Sequence, residues 1–146
     1  MSFQGEYAPS TFDWVADQVS RYEATGGTEG RTINGYPCVV LTTEGAKSGA
    51  VRKSPVIRVS DGERYAAVAS LGGSPKNPNW YHNLRANPLV RLQDGADVRE
   101  YRAHLAEGDE RARWWDRAVE TFPQYAEYQT KTERVIPVFV LEPVQG

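Results

Sequence analysis

The chain predicts an α+β domain built around an antiparallel barrel of about six strands, and three observations predict it. Short runs rich in Val, Ile, Thr and Tyr recur in hairpin order. Turn signals such as Ser60-Asp61-Gly62-Glu63 and Asp94-Gly95 separate them. A few helix-period segments are interspersed rather than alternating regularly with the strands, which argues against a parallel α/β sheet.

In order, Ser10 or Thr11 is a candidate cap for a helix to about Ala24, with Trp14, Val15, Val19 and Tyr22 at helical spacing. Gly26-Gly27 ends it, and the polar, Gly-rich stretch 25–35 predicts a mobile connection. Tyr36–Thr43 reads as a buried strand, Val51–Val59 as its antiparallel partner, and Tyr65–Ser70 as a third strand. The breaker-rich loop 71–78 precedes a short helix, Asn79–Ala86, stopped by Asn87-Pro88. Leu89–Gln93 and Val98–Ala106 form a hairpin around Asp94-Gly95. Acidic residues 107–110 start a helix whose apolar face is Trp114, Trp115, Ala118, Val119 and Phe122. Pro123 breaks it, Gln124–Thr132 resumes as a short helix, and Val135–Leu141 closes the chain as a strand. There is no internal repeat.

Composition sets further bounds. The 146 residues suit one domain with a substantial core, and 40 % hydrophobic with 25 % charged is ordinary for a soluble protein. A net charge of -2 argues against a general nucleic-acid binder. A single cysteine, Cys38, excludes an internal disulfide and, set in Tyr36-Pro37-Cys38-Val39-Val40-Leu41, reads as a strand core position. No apolar stretch approaches the ~20 residues that span a bilayer, and the N-terminus lacks a signal-peptide pattern. Cytoplasm is the expected location.

Side-chain chemistry of the usual catalytic kinds is thin. His82 and His104 are the only histidines, and with one Cys they make no metal-ligand cluster. There is no Gly-x-Ser-x-Gly elbow and no His-Glu-x-x-His. What stands out is the run 41–58. No acid lies between Glu44 and Asp61, while Lys47, Arg52, Lys53 and Arg58 do. Gly45 and Gly49 bracket Lys47 and Ser48, so backbone N–H groups, an ammonium and a guanidinium could converge on a phosphate or carboxylate. The same stretch also reads as an ordinary polar hairpin connection. It is not a P-loop, because Lys-Ser precedes the second Gly and a strand follows.

Two other segments invite the same double reading. Small residues at Ala69-Ser70 and the pair Gly72-Gly73 could let a flat ring lie against backbone, with Lys76 adding charge and Trp80 a wall. Alternatively, Trp80 and Tyr81 simply pack inward. Tyr125 and Tyr128, one helical turn apart, could line a pocket and donate a proton, or could be a core pair. A chain poor in catalytic groups but offering an anion cradle fits a cofactor that brings its own reactivity.

Together these segments resemble the deazaflavin-dependent nitroreductase family of actinobacteria, which binds coenzyme F420. The likeness runs from about Tyr36 to Val144. It is carried by Leu41-Thr42-Thr43-x-Gly45-x-Lys47-Ser48-Gly49-x-x-Arg52-x-x-Pro55, by Ala69-Ser70-x-Gly72-Gly73, and by Asn77-Pro78-x-Trp80-Tyr81-x-Asn83-Leu84. It continues through Ala86-Asn87-Pro88, the Tyr125/Tyr128 pair and Ile136-Pro137-Val138.

The resemblance implies a split β-barrel over 31–146 as the deazaflavin-binding domain, preceded by residues 1–30 as an N-terminal helix and connection. It implies that Lys47, Ser48, Gly49 and Arg52 seat the phosphate and acidic tail of the coenzyme. Pro55, Ile57, the backbone of Val68, Ala69 and Ser70, and Lys76, Asn77, Asn79 and Trp80 would frame the ring. Tyr128, with Tyr125, would protonate or orient the product. The implied activity is hydride transfer from the reduced coenzyme, F420H2, to an electron-poor small molecule such as a quinone, an activated alkene or a nitroaromatic. Alternatives are a flavin mononucleotide oxidoreductase on the same barrel and a non-catalytic carrier of the coenzyme.

Leu71 departs from the pattern, standing where relatives can carry Lys. The N-terminal helix is expected as a lid over the substrate pocket, with contact at a membrane surface as the other option. Monomer and homodimer both stay open.

Overall fold

Strand β2 (Tyr36–Glu44) is the spine of the molecule, described by a computed structural model over residues 6–8, 13–46 and 49–144. Every residue of β2 from Cys38 to Thr43 is buried, because both faces are covered. With a side-chain period of two, Val39 and Leu41 face the barrel core while Cys38 and Val40 face an outer helix. That helix is α1 (Asp13–Thr25), whose Val19 and Tyr22 fill the outer cluster.

The sheet order explains the barrel. β2 pairs antiparallel with the short β1 (Thr32–Ile33), with β3 (Val51–Ile57) and with β6 (Leu89–Asp94). From β6 the ladder continues through β7 (Asp97–Leu105), β8 (Val138–Pro143), β5 (Arg64–Val68) and β4 (Val59–Asp61). β3 lies off this path, paired to β2 near its start, and only Arg58 separates it from β4 at the far end, so the chain itself links the two sides of the sheet.

That corner is bolted. Arg58 donates its backbone N–H to Pro37 O (2.9 Å) and its Nε to Asp94 Oδ2 (2.8 Å). Tyr65 donates its hydroxyl to the same Asp94 oxygen, and its ring lies 5.8 Å from the guanidinium carbon of Arg58. The fold is therefore mixed α+β, a curled antiparallel split barrel. Among the described residues the other α-helices are α2 (Asn79–Ala86), α3 (Gly108–Thr121) and α4 (Gln124–Thr130).

Eight strands among the described residues replace the expected six or so, for identifiable reasons. Residues 25–35, expected as a mobile connection, contain a two-residue hairpin turn with Asn34 at φ 51° and Gly35 at φ 83°, and Ile33 pairs with Tyr36 across it. Both central residues are left-handed, as the twist of a tight hairpin demands. The strand expected over 51–59 divides at Arg58. The last strand starts at Val138 rather than Val135, because Ile136 N–H is taken by Gln129 Oε1 (3.0 Å) and Pro137 has no N–H to give. Helix α1 begins at Asp13, and its proposed caps Ser10 and Thr11 lie outside the described residues.

The lid expectation for α1 is corrected. The helix lies along the outer face of β2 and β3, and none of its residues lines the pocket described below. Tyr22 Oη accepts Gly95 N–H (2.7 Å) and donates to Cys38 O (3.3 Å). Lys53 on β3 binds Glu23 at 2.6 Å, and its ammonium sits 4.6 Å from the Tyr7 ring centroid. A methyl group on Gly27 would come within 2.6 Å of Gly95 Cα, so these two turns touch backbone to backbone.

Candidate functional site

The site begins where β5 stops. Ala69 is fully buried and its N–H is already given to Pro137 O (2.9 Å). Beyond Ser70 the chain makes a single 3-10 turn, Leu71–Gly73, in which three consecutive residues have positive φ: Leu71 44°, Gly72 64° and Gly73 85°. Glycine accepts such values freely, whereas a leucine there costs about 1–2 kcal/mol. Strain of this kind persists only where surroundings enforce it. Here they do. A methyl built on Gly73 would stand 2.7 Å from Tyr128 O, so the turn is pressed against α4. The Arg134 guanidinium also binds Ala69 O, Ser70 O and Ser74 O.

Opposite this turn are Pro55, Val56 and Ile57 of β3, and between the two lies an open pocket of about 230 Å³. Trp80, only 8 % exposed, satisfies both readings offered for it. It belongs to the core cluster, 6.2 Å edge-to-face from Phe139, and it also lines the pocket. Phe122, Tyr125 and Tyr128 close another side as an aromatic wall, with ring centroids 4.9 Å apart for Phe122–Tyr125 and 6.3 Å for Tyr125–Tyr128. Tyr128 donates its hydroxyl to Gln124 Oε1 (3.1 Å). Burial pushes the Tyr125 phenol well above its ordinary pKa, so it stays protonated at neutral pH.

None of the described residues lining this pocket is charged. Its walls are mostly aromatic and aliphatic, with Asn34 and Ser70 among the polar members, a composition that suits a neutral planar ring. Space is available too: a methyl on Gly72 would meet nothing within 4 Å.

Of the residues expected from the sequence, Pro55, Ile57, Val68, Ser70, Trp80, Tyr125 and Tyr128 meet in this pocket. Ala69, Gly49, Arg52, Lys76, Asn77 and Asn79 do not line it. Arg52 is exposed on β3, three positions before Pro55 and so roughly 10 Å along the strand, and donates to Ala8 O (3.2 Å). Gly49 stands at φ 70° and donates its N–H to Gly45 O (3.0 Å). Lys76 and Asn79 are exposed, and Asn77 Oδ1 accepts from Arg134 (2.8 Å). Lys47 and Ser48 lie outside the described residues. The basic run is not one surface: Lys53 is engaged with Glu23, and Arg58 with Asp94.

Several lining residues carried no expectation. Ile33 and Asn34 enter through the hairpin read as a connection, which the dipeptide Asn34-Gly35 signals. Phe122 looked like helix core. Asn83, 6 % exposed, ties the glycine loop down from α2: its Oδ1 accepts Ala46 N–H (2.9 Å) and its Nδ2 donates to Thr43 Oγ1 (3.0 Å). Among the described residues no group of three His, Cys, Asp or Glu could hold a metal.

A split barrel with an uncharged, aromatic-walled slot and few catalytic side chains is the class of protein suited to a flat organic cofactor that brings its own reactivity. The particular kind follows from comparison with known proteins. A family model for F420H(2)-dependent quinone reductase matches residues 14–143, and the chain belongs to that family. It is 38 % identical over 127 residues to the F420H(2)-dependent quinone reductase Rv1261c of Mycobacterium tuberculosis (strain ATCC 25618 / H37Rv), covering 82 % of this chain and 83 % of the relative. Among solved structures, an F420-H2 dependent reductase (FDR-A) is 55 % identical with a TM-score of 0.69, over 73 % of this chain and 94 % of the other. A structure described as a domain-swapped dimer is 51 % identical, TM-score 0.72, covering 91 % and 100 %. Reduced coenzyme F420 is the cofactor of this family.

Proposed function

We propose that this chain reduces a quinone with F420H2, holding the deazaflavin ring between β3 and the Ser70–Gly72 turn. One observation carries the reading. The uncharged pocket joins Pro55–Ile57, Trp80 and the Tyr125/Tyr128 pair, three segments distant in sequence, at a size and polarity suited to a ring. When bound, the reduced coenzyme supplies two electrons as a hydride.

The chain's own residues supply position, dryness and a proton. Pro55 and Ile57 present one apolar wall and Trp80 another, so that water is excluded from the ring's edges. The lining backbone near Ser70 and Gly72 fixes the ring in its plane. The Tyr128 hydroxyl, oriented by Gln124, lines the same pocket where a quinone oxygen would come to rest and would be its proton donor. Arg52, with Lys47, Ser48 and Gly49 of the glycine loop, would hold the anionic tail outside the slot. The ~10 Å from Pro55 to Arg52 along β3 gives the tail its course.

Every described lining residue falls between Ile33 and Tyr128, which supports assigning the coenzyme to 31–146 and a bracing role to α1. No helix among the described residues is long and apolar enough to cross a membrane, and we propose a cytoplasmic location.

The test is a fluorescence titration of the purified protein with F420 and, separately, flavin mononucleotide, followed by turnover with a soluble benzoquinone. Tight binding of F420 alone and quinone-dependent oxidation of F420H2 are expected. Preference for flavin mononucleotide, or coenzyme binding without turnover on any quinone, overturns the reading.

A further inference from the structure

We propose that Arg134 is a positioning residue that sets the geometry of the coenzyme slot. It clamps the 69–77 loop from within and ties it to the helix bearing Tyr128. This rests on the coenzyme reading above. The guanidinium fans out to four acceptors. Nε donates to Ser74 O (2.9 Å), Nη1 to Ala69 O (3.1 Å) and Asn77 Oδ1 (2.8 Å), and Nη2 to Ser70 O (2.8 Å). Three of these are main-chain carbonyls of the segment that bends through Leu71, Gly72 and Gly73 at positive φ. A planar fork reaches all four at once, which a single ammonium cannot do.

The second half of the bracket is the main chain of Arg134 itself. Its carbonyl accepts Gln129 Nε2 (2.8 Å), and Gln129 Oε1 accepts Ile136 N–H (3.0 Å). Gln129 follows Tyr128 on α4. One residue thus fastens both the turn that lines the slot through Ser70, Leu71 and Gly72 and the helix that lines it through Tyr125 and Tyr128. Arg134 does not line this pocket, so its effect on the coenzyme passes through these walls.

The experiment compares wild type with Arg134→Ala, Arg134→Lys and Arg134→Gln. It measures F420 affinity by fluorescence, and amide hydrogen exchange of residues 70–77 in the coenzyme-free protein. Expected are a tenfold or greater loss of affinity in all three variants and at least tenfold faster exchange in that segment. Millimolar guanidinium ion should recover at least threefold of the lost affinity in Arg134→Ala and none in a core variant, Leu92→Ala, of matched thermal stability.

If wild type binds F420 while Arg134→Lys and Arg134→Gln bind within twofold of it, the proposal is wrong and the coenzyme reading stands. If wild type fails to bind F420, that reading falls, and the exchange measurement still decides whether Arg134 holds the loop. Should Arg134→Ala not fold, the Lys and Gln variants carry the test. Unchanged exchange in both, or a loss of affinity equal to that of Leu92→Ala without guanidinium rescue, overturns it.

Discussion

Gly73 rests against the carbonyl oxygen of Tyr128, so closely that a methyl on its Cα would stand 2.7 Å from that oxygen. The contact joins the two sides of the pocket, the 3-10 turn after β5 and the helix α4, with no side chain between them. Gly73→Ala must therefore both strain φ and push the walls apart. We expect a loss of about 2–4 kcal/mol in stability and weaker F420 binding. Gly72→Ala is the control. It shares a positive φ, but its methyl meets nothing within 4 Å, and left-handed strain is partly offset by a stiffer unfolded chain. Its cost should stay within about 1 kcal/mol. Equal losses in urea denaturation of the two variants would remove the wall contact from consideration.

Tyr125 and Tyr128 share a helix turn but not an environment. Tyr125 is 4 % exposed and packs edge-on to Phe122, whereas Tyr128 is half-buried and its hydroxyl is held by Gln124. Tyr128→Phe keeps the ring and deletes the O–H, so F420 affinity should stay within twofold of wild type while kcat for quinone reduction falls at least tenfold. Tyr125→Phe should change kcat less. Loss of coenzyme affinity in Tyr128→Phe, with kcat intact, would move that residue to the coenzyme side of the pocket.

The strand and helix pattern was largely legible because period and turn chemistry are local. β2, β3, β5 and α2 fall close to where Val/Thr runs and Asn-Pro stops put them. The division of the basic run was not legible, for a reason that is not local. Two of its four cations are claimed by acids 30 and 36 positions away, Glu23 and Asp94, and only the closed barrel brings them together. Arg134 was silent in the sequence because its partners are mostly main-chain carbonyls, 60 to 65 positions away. Asn34-Gly35 was not silent. It is a strong hairpin dipeptide, masked by the polar, glycine-rich stretch around it.

The tail of the coenzyme supplies a third expectation. Arg52 is exposed on β3, and Lys47 stands between Gly45 and Gly49 in the sequence. Removing either cation proposed to hold the tail, by Arg52→Ala or Lys47→Ala, should raise the F420 dissociation constant about tenfold. The effect should shrink in 1 M salt, where the Debye length falls to about 3 Å. Ring contacts, made by uncharged walls, should be insensitive to salt. A double variant with wild-type affinity at low salt would show that the loop holds nothing.

Alkaline pH should lower the stability of the protein, first through Cys38 and then through the buried tyrosines. Cys38 is buried between β2 and α1, where desolvation pushes its thiol up to about 11 from an ordinary 9.0, a shift that Gln18, the donor to its sulfur, only partly opposes. Below pH 9 the thiol is protonated whether folded or not and contributes no pH dependence. Above it the unfolded chain sheds a proton that the folded chain retains, so stability declines as pH rises from 9 to about 11, then levels for this group. Two units correspond to on the order of 2–3 kcal/mol. Tyr125 and Tyr65 are raised in the same direction, chiefly by burial, with Asp94 adding to the shift at Tyr65, and extend the decline above their ordinary 10.0. Melting temperature against pH should therefore fall from pH 9 in wild type. In Cys38→Ala it should hold flat to about pH 10 before the tyrosines act. Identical slopes for the two proteins between pH 9 and 10 would mean that the thiol titrates normally, and that α1 does not seal it from water.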